Sequence, residues 1–157
     1  MIIGIIAVDK NGAIGKGGQL PWHYSADMRH FKETTLGHAC VMGHNTWLTL
    51  KKPLRDRLNV VLSRKSEVQT QPSVMVLRDL ESALSLPPYL NCDLFVIGGE
   101  KVYQEFLPYI DKWIVTEVPL EVEAADAFVP KNFLEGFKKT ESKSLGEGLT
   151  VNMYERG

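Results

Sequence analysis

One acidic residue stands out in the stretch GGQLPWHYSADMRHFK, residues 17–32. A helix is predicted to begin at Ser25, which we interpret as its capping residue, so Asp27 falls in the first turn. Three residues share a helix face with Asp27: Met28, Phe31 and Thr35. Because this is the more apolar face, we expect it to pack on the rest of the protein and to bury the carboxylate.

A buried carboxylate needs a hydrogen-bonding partner. An acid in a first helical turn can simply favour the helix dipole, which is the structural interpretation of Asp27. No Lys or Arg precedes Asp27 by one turn to pair with it, however. If the protein supplies no partner, a ligand with neighbouring N–H groups would suit this position.

Three predicted strands end in glycine, hydroxyl or basic residues. The stretches are CVMGHNTW at 40–47, VVLSRK at 60–65 and VIGGEKVY at 96–103. In α/β sheets ligands bind at the carboxyl ends of strands, and glycine lets a phosphate approach backbone amides. Any one of these stretches is also typical of a tight strand-to-helix turn. Together they indicate a polyphosphate lying across one edge of a sheet, although neither a G-x-G-x-x-G nor a Walker motif is present.

Bulk properties restrict the class of protein. The 157 residues predict a single domain, 1–157, long enough to form its own core. The formal net charge of −1 argues against nucleic-acid or membrane partners that are recognised by bulk charge. Two isolated cysteines, Cys40 and Cys92, indicate reduced thiols in a cytoplasmic protein, and we expect no metal site. The apolar start, MIIGIIAV, is too short to span a bilayer and predicts a strand.

Alternating apolar runs and helical patterns predict the elements that position these residues. The predicted strands cover 2–8, 38–43, 58–63, 73–77, 93–99, 112–118, 136–142 and 149–155. The predicted helices cover about 25–35, 44–50, 79–85 and 100–107, and a long glycine-rich loop covers 9–24. This order is typical of an α/β domain with a mostly parallel sheet and an antiparallel C-terminal edge.

Seven stretches, in order and with matching spacing, resemble bacterial chromosomal dihydrofolate reductases. They are IIAVDKNGAIG, LPW, ADMRHFK, VMGHNTW, RLNVVLSR, VIGGEKVY and WIVTEV. The resemblance implies an eight-stranded sheet with four flanking helices. It also implies NADPH-dependent reduction of 7,8-dihydrofolate to 5,6,7,8-tetrahydrofolate, which supports one-carbon metabolism and thymidylate and purine synthesis. Antifolate inhibitors as ligands, a cytoplasmic location and a monomeric state are further expectations, whereas the degree of antifolate sensitivity does not follow from the sequence.

The resemblance also implies roles for individual residues. Asp27 matches the acid that contacts the pterin, Trp22 a ring that fixes a water, and Thr116 a hydroxyl hydrogen-bonded to the acid. The pterin and benzoyl pocket is matched by Ile5, Ala7, Met28, Phe31, Leu50, Leu54, Ile97 and Tyr103. Arg57 matches the cation that clamps the glutamate tail, a bidentate task that suits arginine, and Arg55 is the second candidate.

Cofactor binding is implied for a third set of residues. These are Ala7, Ile14, Leu20, Gly43, His44, Asn45, Thr46, Ser63, Arg64, Gly98, Gly99, Glu100, Lys101 and Val102. The chain departs from the family in three places. His44 stands where a basic residue, most often arginine, pairs with the 2′-phosphate of NADPH, so either His44 or Arg64 is predicted to bind that phosphate. Glu100 stands where glycine or a small residue is common, and EVEAADAF, residues 121–128, lacks the usual glycine before Asp126.

Two other functions remain open on the sequence. One is a reductase of the same fold that acts on another pterin or pyrimidine, as in riboflavin synthesis. The other is a nucleotide-binding module without turnover. Asp27 together with Arg57 favours a folate with its glutamate tail, and the set Asp27, Thr116 and Trp22 favours a working enzyme.

Overall fold

The computed structural model describes residues 1–18, 20–64, 68–69 and 71–157. Lys65, the last residue of the VVLSRK stretch, lies outside these ranges. The strands are β1 Ile2–Val8, β2 Ala13–Gly15, β3 Ala39–Gly43, β4 Leu58–Leu62, β5 Val74–Leu77, β6 Leu94–Gly98, β7 Lys112–Glu117, β8 Ala127–Phe128, β9 Phe137–Gly146 and β10 Leu149–Arg156. The helices are α1 Ser25–Thr35, α2 His44–Thr49, α3 Leu80–Leu84 and α4 Glu100–Phe106, followed by a 3₁₀ turn at Leu107–Tyr109.

Eight strands form one sheet in the order β5-β4-β3-β6-β1-β7-β10-β9. The first six are mutually parallel, and β10 is antiparallel to both β7 and β9. The N-terminal strand β1 lies in the middle, paired with β6 on one side and with β7 on the other. The predicted mostly parallel eight-stranded sheet with an antiparallel C-terminal edge and four helices is therefore confirmed.

Side chains alternate between the two faces of the sheet and form two main apolar clusters. On β1, Ile2, Ile6 and Val8 pack in one cluster, which includes residues of α3 and α4. Ile3 and Ile5 point to the opposite face, where Phe31 of α1 packs against them and their neighbours. The sheet therefore separates the α1 side from the α4 side, and β1 supplies side chains to both.

The predicted 9–24 loop contains a short strand that the sequence pattern did not reveal. Strand β2 pairs antiparallel with β8, with Ala13 opposite Phe128 and Gly15 opposite Ala127. Both strands are too short to show an alternating pattern. This second sheet attaches the N-terminal loop to the segment between β7 and β9, including the region that lacks the family's usual glycine.

Helix α1 has the predicted bounds, but two details of the prediction were wrong. Ser25 is the first helical residue and not the cap, because the N-cap position belongs to Tyr24, whose side chain makes no capping bond. The face shared by Asp27 and Met28 is not the most buried one. The buried residues of α1 are Ala26, His30 and Thr35. Asp27 is half-buried at the margin of that face.

None of the described helices combines the length and the hydropathy needed to cross a bilayer. Within the same residues, no group of three or more His, Cys, Asp or Glu side chains is placed to hold a metal ion. Cys40 and Cys92 are both free thiols, and Cys40 is buried.

Gly4 is predicted to be essential for packing of the central strand. A Cβ atom at this position would lie 2.3 Å from the ring of Trp113, which is fully buried. The rigid indole has no room to move, so we expect Gly4→Ala to lower the free energy of unfolding by about 1–3 kcal/mol, the usual range for overpacking. Urea denaturation checks this value. Gly99→Ala is the control, because a Cβ atom there would make only an ordinary contact, and it should change the free energy of unfolding little. Gly136 is unsuitable as a control because its φ is positive.

Candidate functional site

The three strand ends singled out by the sequence lie side by side. Strands β4, β3 and β6 are neighbours in the sheet, with Gly43 opposite Leu62 and Met42 opposite Gly98. The chain therefore leaves the sheet at Ser63, His44 and Gly99 along one edge. This edge is where a ligand would cross the carboxyl ends of the strands.

Glycine keeps the backbone accessible at two of these strand ends. Gly43 and Gly99 occupy the N-cap positions of α2 and α4, and as glycines they have no side chain with which to cap these helices. A Cβ atom at Gly43 would lie 3.0 Å from Val102, and one at Gly99 would lie 3.5 Å from the Thr46 hydroxyl. Gly98 has a φ of +118°, a conformation that favours glycine, and the Gly98–Gly99 peptide bond is cis. The backbone at these two turns is therefore not covered by a side chain of Gly43 or Gly99, and the Thr46 hydroxyl lies close to the second turn.

Arg78 is a second basic residue at this edge, besides Arg64, and the sequence motifs did not indicate it. Arg78 follows β5, and its Nη1 donates hydrogen bonds to the carbonyl oxygens of Ser63 at 3.2 Å and Arg64 at 3.3 Å. Arg64 itself is exposed. Two guanidinium groups therefore stand at the outer part of the edge, beyond the glycine turns. The signal in the sequence was a basic residue after the fourth predicted strand.

Asp27 lies in a partly desolvated position. Burial raises the pKa of its carboxyl group above the ordinary value, and the indole N–H of Trp22 opposes this effect more weakly. The Trp22 Nε1 atom is buried, and its geometry falls short of a direct hydrogen bond to any group in the described part of the chain. The carboxylate and the indole N–H therefore lie near each other without a direct hydrogen bond, which favours a polar ligand or a water between or beside them.

Thr116, which the resemblance places beside this carboxylate, lies in β7 and forms part of the floor under the start of α1. It is 2% exposed and is paired with Ala7 across β1 and β7. Ala7 packs with Trp22 and Ala26, which connects the floor to the start of α1. A direct hydrogen bond between the Thr116 hydroxyl and Asp27, as expected from the resemblance, is not formed among the described residues.

An apolar wall extends from Asp27 along α1 and α2. Phe31, one turn after Asp27, belongs to the same cluster as the buried Ile5. The predicted pocket residues Leu50, Leu54 and Ile97 pack in this cluster too. Met28 is 57% exposed and Leu20 is 59% exposed, so both are available to a ligand and neither is part of the core.

Arg57 is a buried cation at the far end of this wall. It is 8% exposed. Its Nη1 donates to the Thr35 hydroxyl at 3.1 Å, its Nε donates to the Arg55 carbonyl at 2.9 Å, and its guanidinium lies 5.9 Å from the centre of the Phe31 ring. No carboxylate pairs with it among the described residues, so its remaining N–H groups are suited to an anion. Arg55, the second candidate, is exposed.

The loop before α1 is fastened to the segment that follows β7. The Asp9 carboxylate accepts hydrogen bonds from the backbone N–H groups of Asn11, Ala13 and Val122, each 2.8 Å long. Burial alone would raise the pKa of Asp9, but together these three bonds outweigh burial and hold the pKa below its ordinary value. Farther along, the Gly17 N–H donates to the Asp126 carboxylate at 2.9 Å. These contacts form despite the missing glycine before Asp126.

The remaining predicted residues lie mostly on the α4 side. The Tyr103 hydroxyl donates to the Ile5 carbonyl at 2.7 Å, and burial raises the pKa of this phenol. Val102 is buried and Ile14 is half-buried, both in the cluster on this face. Asn45 and Lys101 are exposed at the starts of α2 and α4. Tyr103 thus connects the helix at the glycine turn to the strand that carries the apolar wall.

Comparison with known proteins gives a consistent result. The sequence model of a family described as "Dihydrofolate reductase" matches residues 1–155. The chain is 42% identical to a dihydrofolate reductase of Mycobacterium tuberculosis over 135 residues, covering 82% of this chain and 80% of that one. It is 34% identical to the Bacillus subtilis dihydrofolate reductase over 157 residues, covering 99% and 90%.

A solved structure is also similar over the whole chain. It is the dihydrofolate reductase from Enterococcus faecalis complexed with NADP(H) and RAB-propyl. The TM-score is 0.90 at 28% sequence identity, with 100% of this chain and 96% of that chain covered.

Proposed function

Because this chain belongs to the dihydrofolate reductase family, we propose that the cleft around Asp27 is where its reaction takes place. The reaction is the NADPH-dependent reduction of 7,8-dihydrofolate to 5,6,7,8-tetrahydrofolate. The observation that carries the assignment of the cleft is the half-buried Asp27 carboxylate, whose pKa is raised by desolvation beside the unsatisfied Trp22 indole.

Asp27 is proposed to bind the pterin and to promote its protonation. A carboxylate can accept two parallel hydrogen bonds, which matches a ring N–H beside a 2-amino group. Because its pKa is raised, a larger fraction of this carboxyl group is protonated at a given pH than in an ordinary aspartate, which favours a role in proton transfer. Trp22 is proposed to hold a water next to the carboxylate, because its buried N–H has no direct partner among the described residues. The proton goes to the ring nitrogen next to the carbon that is reduced.

The apolar wall and Arg57 are proposed to hold the rest of the substrate. Ile5, Phe31 and Ile97 present apolar surface suited to flat pterin and benzoyl rings. Met28 and Leu50 extend this surface toward solvent. Arg57 then lies where its free N–H groups can bind a carboxylate of the glutamate tail, already oriented by Thr35.

The strand-end edge fits the nicotinamide dinucleotide. When bound, NADPH supplies the hydride. Gly43 and Gly99 leave backbone amides open to the pyrophosphate, and the Thr46 hydroxyl lies between the two turns. Arg64 and Arg78 provide the positive charge suited to a phosphate monoester at the outer end. On the inner end, Ala7, Ile14 and Leu20 are proposed to contact the nicotinamide and to exclude water.

Loss of absorbance at the NADPH band tests the activity. We expect loss only when dihydrofolate is added to the enzyme with NADPH. Loss with a different pterin or pyrimidine, and none with dihydrofolate, would instead support the alternative reductase. Cofactor binding without turnover of either substrate would contradict any reductase function.

His44 is predicted to limit discrimination between NADPH and NADH. It leaves the sheet next to Ser63, on the edge proposed for the 2′-phosphate. A guanidinium offers a planar pair of N–H donors to a phosphate, and an imidazole does not. We therefore expect His44→Arg to increase the ratio of kcat/KM for NADPH to that for NADH severalfold. Equal ratios for both proteins would mean that His44 does not contact the phosphate.

We also propose a cytoplasmic monomer that binds antifolate inhibitors in the same cleft. The free thiols of Cys40 and Cys92 are compatible with a reducing compartment. Light scattering during size-exclusion chromatography measures the oligomeric state, and competition of an antifolate with dihydrofolate tests the inhibitor site.

A further inference from the structure

We propose that Glu100 is a positioning residue that holds the loop before α1 in place by accepting a hydrogen bond from the backbone of Phe128. Glu100 is the first residue of α4 and follows the Gly98–Gly99 turn. Its Oε2 atom lies 2.8 Å from the Phe128 nitrogen, although the two residues are 28 positions apart in the sequence. We call this contact the Glu100–Phe128 latch. The inference rests on the proposed function, because the loop matters for catalysis only if it covers the cleft.

Phe128 belongs to the two-residue strand β8, which has β2 on one side only. In an antiparallel pair, successive N–H groups point alternately toward and away from the partner strand. The N–H of Val129 donates to the Gly12 carbonyl at 2.9 Å, and that of Phe128 donates instead to Glu100. The Glu100 carboxylate therefore accepts a hydrogen bond from the Phe128 N–H, which lies on the open edge of this small sheet and has no strand to pair with there.

The latch connects α4 to the loop in two steps. Glu100 holds β8, and β8 holds residues 9–18, which we call the 9–18 segment. Its contacts with the later loop include the pairing of Ala13 with Phe128 and the Gly17 N–H bond to Asp126. The 9–18 segment carries Ile14, and it leads directly to Leu20 and Trp22. A side chain at the glycine turn can thus control the position of groups that cover the cleft.

A competing explanation is purely local. An acid in the first turn of a helix stabilises the helix dipole through its charge. Two substitutions separate the explanations. Glu100→Gln removes the charge but keeps an oxygen that can accept the Phe128 N–H bond, whereas Glu100→Ala removes both. The dipole explanation predicts that both variants behave alike, and the latch predicts that only Glu100→Ala loses the loop.

Hydrogen–deuterium exchange of single amides, followed by NMR on the protein without cofactor or substrate, tests the latch. We expect Glu100→Ala to speed exchange at Phe128 by about tenfold, as for loss of a hydrogen bond to a charged group, and to speed exchange at Ala13 and Gly17. Glu100→Gln should retain most of the protection. The control is Glu105→Ala in the same helix, because Glu105 makes no hydrogen bond among the described residues, and it should leave these amides unchanged.

Turnover gives the second readout. We expect Glu100→Ala to lower the rate of hydride transfer severalfold, and Glu100→Gln to recover most of that loss. Unchanged exchange at Phe128 and Gly17 in Glu100→Ala, or equal effects of the two substitutions, would overturn the latch. Because the exchange measurement needs no ligand, a protein that shows the latch but does not oxidise NADPH would contradict the proposed function and leave this inference standing.

Discussion

Asp27→Asn is expected to reduce turnover of dihydrofolate at pH 7 by at least about 10²-fold, the lower end of the effect of a positioned acid or base. The amide can no longer promote protonation of the pterin, and it mismatches the paired N–H groups of the substrate. Affinity for NADPH should change little, because Asp27 is proposed to contact the pterin and not the cofactor. Some activity should return at low pH, where the solvent can protonate the substrate. Steady-state kinetics from pH 5 to 9 measure this, and turnover like the wild type at pH 7 would refute the role of Asp27.

The same variant should be more stable than the wild type at neutral pH. The pKa of Asp27 is raised in the folded protein, so the folded state binds more protons than the unfolded state between the two pKa values. The free energy of unfolding therefore falls as the pH rises from the unfolded pKa through the folded one. Asparagine does not ionise, so the variant escapes this loss of stability. Thermal unfolding should therefore show a higher Tm for Asp27→Asn than for the wild type at pH 7. No such gain is expected below about pH 3.5, where the carboxyl group is protonated in both the folded and the unfolded state. A lower Tm at pH 7 would mean that the activity loss reflects damage to the fold.

Arg57→Ala is expected to raise the KM for dihydrofolate by about 10²-fold while lowering kcat far less. The tail carboxylate is bound equally in the ground state and the transition state, so losing its partner removes uniform binding. A charged hydrogen bond contributes about 1.5–3 kcal/mol, so the loss of one or two of them accounts for an effect of this size. A substrate that lacks the glutamate should show little change in KM.

Two further variants separate binding from structure at Arg57. Arg57→Lys keeps the charge but loses the planar pair of N–H groups, so its KM should lie between those of the wild type and Arg57→Ala. Arg55→Ala is the matched control, since Arg55 is exposed and only two residues away, and its KM should be close to that of the wild type. Equal losses with the full and the truncated substrate in Arg57→Ala would show that Arg57 acts structurally, through Thr35 and Phe31.

Most of the sheet was predictable because its strands are short apolar runs that end at turns. The runs at 2–8 and 93–99 are covered on both faces, and such runs stand out in a sequence. Strands β2 and β8 were missed because two or three residues carry no period, and they exist through pairing with each other. The cap of α1 was predicted wrongly for a similar reason. Ala26, in its first turn, donates its N–H to the Glu147 carboxylate, which lies 121 residues later.

The candidate site likewise has residues that local motifs indicated and residues whose roles depend on distant parts of the chain. Local motifs indicated Asp27 and the three glycine or hydroxyl turns, because each combines a residue type with a position at the end of an element. The role of Arg78 depends on the neighbouring strand ends, and that of Glu100 on Phe128, so neither could be deduced from local spacing. The buried side of α1 was also misjudged, since β9 packs against this helix and helps to determine which face is covered.

The central position of β1 has a consequence for synthesis of the protein. This strand is made before both of its neighbours in the sheet, β6 and β7, and Val8 pairs with Glu117. At about 5–20 residues per second, translation from Val8 to Glu117 takes roughly 5–22 s. During that time an almost wholly apolar strand is outside its sheet, either within the ribosome exit tunnel or exposed to other chains. The nascent chain is therefore a natural client for chaperones that bind short apolar segments, long before any part of the proposed cleft has been assembled.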